Sequence, residues 1–153
     1  MSRPLYIETL CARPETAIVI AGWLFSEWGR RNPLGSLGAA NERVREQANE
    51  RDLPICWVGF EDGVPVATAS LAEREDDADE PGPWLSSVFT VPRARGQGHA
   101  QRLIHIAEQR ARSLGFKRIL LSAAVPRLYE RLGWSPTGST KNGEPVMLKA
   151  LAR

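Results

Sequence analysis

Between positions 84 and 123 the hydrophobic pattern changes period twice, in an order that few folds accommodate. Residues 84–91 form an apolar run of strand length, glycines punctuate positions 96 and 98, and Ala100, Leu103, Ile104, Ala107, Ala111 and Leu114 then recur at helical spacing until Gly115. Residues 118–123 are apolar enough for a second buried strand. The unit therefore reads as strand, glycine loop, helix, strand: two parallel strands joined by a right-handed crossover.

The flanking sequence supplies partners for that unit. Residues 4–10 alternate weakly as a strand, and residues 15–28 have the apolar density of a buried helix face. Ser36 is placed to cap a helix running to about residue 51, with Leu37, Ala40, Val44 and Ala48 on one side. Two β-branched runs, 55–60 and 64–71, flank Glu61-Asp62-Gly63, a hairpin signal. Pro126 and Gly133 bracket a short helix, and residues 134–139 and 145–151 form a closing hairpin turned at Lys141-Asn142-Gly143. With 153 residues, the expectation is one domain over 1–153.

Composition removes several classes of function. The chain is 42% hydrophobic and 25% charged, which excludes disorder and a fibrous repeat. Its longest apolar stretch, residues 17–25, is interrupted by Gly22 and is too short to cross a bilayer, so no membrane role is expected. The opening residues lack the pattern of a secretory signal, and the expected location is the cytoplasm. Cys11 and Cys56 stand apart among apolar neighbours without C-x-x-C spacing; they read as buried thiols, with no metal site.

A net charge of +2 is too small to argue for nucleic-acid binding. It conceals an asymmetry, because residues 73–80 hold six acids and one base, ahead of a half rich in arginine. Such a segment beside a substrate entrance would favour a cationic substrate.

The loop Arg93-Ala94-Arg95-Gly96-Gln97-Gly98-His99-Ala100 sits where a strand feeds a helix, so free backbone N–H groups and the positive dipole end face outward. This is an anion site suited to a phosphorylated cofactor. Gly98 is followed by His99-Ala100 rather than Lys-Ser/Thr, which disfavours nucleotide hydrolysis. Position 101 is Gln and the next strand ends Ser122-Ala123 without an acid, which disfavours a dinucleotide. Coenzyme A is the remaining reading.

The residues here carry a family resemblance. Pro92-x-x-Arg95-Gly96-x-Gly98-x-Ala100 resembles the acetyl-CoA signature R-x-x-G-x-G/A of the GNAT superfamily of N-acetyltransferases, and Leu128-Tyr129-Glu130-Arg131-Leu132-Gly133-Trp134 is similar to its second signature, L-Y-x-x-L-G-F. The resemblance runs along most of the chain. It implies an α/β (α+β) GNAT fold: a mixed, mostly antiparallel sheet with a central splayed parallel pair, flanked by helices. It implies acetyl-CoA as co-substrate, with no metal, held by Arg95, Gly96, Gln97, Gly98, His99 and Ala100 and by the strand residues Phe89, Thr90 and Val91. Ser122 stands where the superfamily often has an Asn that contacts pantetheine.

Transfer to an amine passes through a tetrahedral oxyanion and expels a thiolate whose conjugate acid has a pKa near ~8.5. A phenol is a suitable donor to that sulfur, and Tyr129 matches the family tyrosine given this role. An alkylammonium, pKa near ~10.4, must also lose a proton, for which Glu27 and Glu73 are candidates beside a water relay. His99, in the loop, and His105, on the polar side of its helix, read as bystanders to that step. Trp23, Trp28 and Trp84 are candidates for an acceptor groove, Trp84 foremost because it heads the cofactor strand. The expectation is an N-acetyltransferase, monomer or homodimer, acting on a primary amine of a small molecule or peptide, with cationic acceptors favoured. A non-catalytic acyl-CoA-binding module of the same fold is the alternative.

Overall fold

The computed structural model describes residues 4–29, 35–75 and 80–151. Seven strands form one sheet: β1 (Tyr6–Thr9), β2 (Ile55–Glu61), β3 (Val64–Ala72), β4 (Trp84–Thr90), β5 (Arg118–Ser122), β6 (Ser135–Lys141) and β7 (Glu144–Ala150). Their order is β1-β2-β3-β4-β5-β7-β6, antiparallel throughout except for the parallel pair β4-β5. Among the described residues the α-helices are α1 (Ala17–Glu27), α2 (Leu37–Arg45), α3 (His99–Ser113) and α4 (Pro126–Arg131). Both hairpins turn as their sequences require, with Asp62 and Gly63, and Asn142 and Gly143, all at positive φ.

Helix α3 buries Leu103, Ile104, Ala107 and Ala111, one stripe at three- and four-residue spacing. It ends in a Schellman motif: Gly115 N–H reaches Arg112 C=O (3.0 Å) and Phe116 N–H reaches Ala111 C=O (3.1 Å), with Gly115 at φ +92°. The stripe joins Trp57, Val66, Leu71, Leu85, Ile119 and Leu121 in the main core. On α1, Ala17, Ile20 and Ala21 face Val44 of α2 and Cys56, Val58 and Phe60 of β2, which makes a second core. Each fully buried aliphatic side chain contributes roughly 1.5–3 kcal/mol, so both cores bind their helices firmly to the sheet.

Two expectations need correction. Ser36 does cap α2, its Oγ accepting from Ala39 N–H at 3.0 Å, but the helix stops at Arg45 rather than near 51. Ala48 instead bridges Ile55, and Cys56 N–H bonds Gln47 C=O at 3.1 Å, so pairing with β2 overrides the helical period. Cys11 is exposed, because Leu10 takes the buried place in the 3-10 turn Leu10–Ala12. The central acids Asp76, Asp77 and Asp79 lie outside the described residues. Among the described residues no helix is long and apolar enough to cross a membrane.

Candidate active site

The sheet opens where β4 meets β5. The parallel ladder has one paired position, Trp84 with Leu120, after which β4 runs on to Thr90 without β5 beside it. The cause lies on the other edge of β4: pairing with β3 runs Leu71 with Leu85 and Ser70 with Ser86, then slips by one residue before Thr68 with Phe89. Ser87 has φ +55° within that irregularity. An extra residue on one strand bends it and increases its twist, which turns the second half of β4 away from β5. Splayed parallel strands leave a crevice at their carboxyl ends, where loops bring ligand-binding groups together.

On the β4 side of the crevice is the glycine loop. Gly96 (φ +78°) and Gly98 (φ +81°) both adopt the left-handed backbone, and a Cβ at either would meet nothing within 4 Å. The loop side chains fold back on their own backbone: Arg95 Nε–H donates to Thr90 C=O (2.8 Å) and Gln97 Nε2–H to Ala94 C=O (3.4 Å). Arg95 N–H is occupied by Pro92 C=O (3.3 Å), so the outward-facing amides begin at Gly96. The first helical donor is Arg102 N–H, on Gly98 C=O at 3.2 Å.

His99 is buried rather than presented to a ligand. Its Nε2–H donates to Glu61 Oε2 at 2.6 Å, both side chains being under 5% exposed, and Arg93 Nη1 stands 3.8 Å from Glu61 Oε1. This pair ties the β2–β3 turn to the first residue of α3. Glu61 was legible in the sequence only as turn punctuation, since nothing in a chain pattern joins residues 38 positions apart.

On the β5 side, the chain passes from Ser122, half-buried, into α4, which carries Tyr129. The Tyr129 ring packs edge-on against Trp134, with centroids 5.9 Å apart. Trp134 is held in turn, its indole N–H on Glu108 Oε2 (3.3 Å), while Lys149 Nζ bonds Glu108 Oε1 (2.9 Å) and Leu132 C=O (2.8 Å). Burial first, and the charge of Glu144 second, push the Tyr129 phenol up to about 12, so it stays protonated far above neutrality.

A cavity of about 520 Å³ adjoins the β4 irregularity on the α1–α2 side and reaches Ser86 and Ser87. Leu24, Phe25 and Trp28 of α1 and Ala40 and Val44 of α2 supply its apolar wall; Arg43, Glu46, Gln47, Arg74 and Glu75 supply its polar groups. Trp28 is thus brought to the cavity and also meets Phe89 edge-on at 6.3 Å, while Trp23 packs on Phe89 at 5.7 Å. Neither Glu27 nor Glu73 lines it. Trp84 is the clearest departure from expectation: it is 2% exposed, packed with Leu120 and Val146, and its indole N–H donates to Glu80 C=O at 3.0 Å. It occupies the one position where β4 and β5 remain paired, inside the closed part of the sheet, and offers a substrate almost no surface.

Solved structures share this fold. Among solved structures, an aminoglycoside 6'-acetyltransferase type Ii is similar at TM-score 0.75 and 18% identity, over 97% of this chain and 98% of that one. An aminoglycoside 6'-N-acetyltransferase complexed with coenzyme A is similar at TM-score 0.76 and 15% identity, over 97% and 98%. An acetyltransferase of the GNAT family from Streptococcus pneumoniae gives TM-score 0.72 and 18% identity, over 97% and 100%. No curated protein matches the chain at a significant level of sequence similarity. The profile of the Acetyltransferase (GNAT) family matches residues 21–134, which hold the splayed strand pair, the glycine loop and Tyr129, and the chain belongs to that family.

Proposed function

We propose that this protein transfers an acetyl group from acetyl-CoA to the primary amine of a small molecule. The observation that carries this reading is the single paired position between β4 and β5: beyond it β4 leads into the loop Gly96 to Ala100, β5 leads into α4 with Tyr129, and the cavity reaches Ser86 and Ser87. The cofactor's pyrophosphate is assigned to the loop amides and the helix dipole, and its pantetheine to the unpaired edge of β4 and to Ser122. The acceptor enters from the cavity. Its nitrogen attacks the thioester carbonyl, a C–N bond forms and the C–S bond breaks; the amine loses a proton and the sulfur gains one, leaving an acetamide and free CoA.

The test is CoA release from acetyl-CoA against a panel of amines. Amine-dependent release is the expected result, whereas acetyl-CoA binding with no release for any amine would identify a binding module instead.

Gly98→Ala tests the cofactor site separately. The added Cβ points into open space, so it crowds only a ligand, although left-handed backbone costs a non-glycine residue about 1–2 kcal/mol. Calorimetry on the folded variant should show acetyl-CoA affinity reduced about tenfold or more, the equivalent of one strong contact. Unchanged affinity would remove the pyrophosphate from this loop.

A further inference from the structure

We infer that the acceptor carries an anionic group as well as its amine, on an apolar body: an amino acid or small amino-acid derivative with an apolar side chain. This rests on the acetyl-transfer reading above and concerns the charges of the cavity. Two arginines line it, Arg43 in the last turn of α2 and Arg74 just beyond β3, and neither has an ion-pair partner among the described residues. Of the two carboxylates among the described lining residues, Glu75 stands 3.7 Å from Lys141 Nζ and is ion-paired, which leaves Glu46. Phe25 and Trp28 supply the apolar surface.

These groups discriminate among amines. Guanidinium forks match a carboxylate in geometry and charge, while an acceptor with several ammonium groups would meet, among the described lining residues, two like charges and one acid that is not already paired. An unpaired cationic wall therefore selects against polyamines, contrary to what the acidic stretch 73–80 suggests in the sequence alone. Of the described acids of that stretch, Glu75 is engaged with Lys141 and Glu80 with Arg118 at 4.0 Å, while Glu73 is exposed and does not line the cavity. A volume of about 520 Å³ suits a small molecule, and an aromatic wall suits one with an apolar side chain.

The experiment compares leucine and phenylalanine with their decarboxylated amines and with spermidine, in wild type and in the double variant Arg43→Gln/Arg74→Gln. Both CoA release and calorimetric binding to the CoA-loaded protein are read. Wild type should prefer the carboxylate-bearing amines, and the variant should lose that preference about tenfold or more, through KM or Kd rather than kcat. Equal preference in both proteins, or spermidine as the best acceptor in wild type, overturns the inference. Carboxylate-dependent binding without CoA release would sink the catalytic reading alone, and CoA release without carboxylate preference would sink this inference alone.

Discussion

Tyr129→Phe should lower kcat roughly 10²-fold while leaving acetyl-CoA affinity unchanged. The Tyr129 hydroxyl has no hydrogen-bond partner among the described residues, so its removal leaves the packing against Trp134 in place. What disappears is the proposed donor to sulfur. With the phenol at about 12 and a thiol near ~8.5, complete transfer of the proton to the thiolate is uphill by roughly 5 kcal/mol. In the proposed mechanism Tyr129 would therefore act by donating a hydrogen bond to the developing thiolate, and a hydrogen bond to a charged group contributes about 1.5–3 kcal/mol, which matches the 10²-fold figure. A variant with wild-type kcat would show that the ring only packs.

The same shift predicts an alkaline signature. The folded phenol titrates above its unfolded value of about 10, so its stabilising effect is fully present below pH 10 and is lost as pH rises toward 12, an effect of about 2–3 kcal/mol. Wild type should lose stability over that interval more steeply than Tyr129→Phe. Parallel unfolding profiles for the two proteins would contradict the assigned burial.

His99→Leu should destabilise the protein by about 3–5 kcal/mol, a large share of the 5–15 kcal/mol available to an ordinary domain. The substitution leaves Glu61 buried without its 2.6 Å partner, and Arg93, 3.8 Å away and more than half exposed, compensates little. Replacing both members, as in Glu61→Met/His99→Leu, should recover much of the loss, because the cost lies in an unpaired buried charge rather than in missing volume. Urea unfolding of the two variants measures this directly. A single variant within 1 kcal/mol of wild type, by the usual scatter of surface substitutions, would show that Glu61 finds another partner.

Much of this architecture is local and legible in the sequence. The stripe from Leu103 to Ala111, the glycines at 98 and 115, the two positive-φ turns and the Ser36 cap are decided by neighbours within a few residues, and each stands where the sequence placed it. The family was legible for the same reason, since both signatures are short and contiguous. Tertiary structure decided what depends on distant partners. It shortened α2 in favour of the Ala48–Ile55 bridge, buried Trp84 at the last paired position of β4 and β5, and joined His99 to Glu61 across 38 residues. It also gathered Arg43 and Arg74 at one cavity. Sequence periodicity records which face of its own element a residue occupies, while charge complementarity and strand pairing depend on what the folded chain brings opposite it.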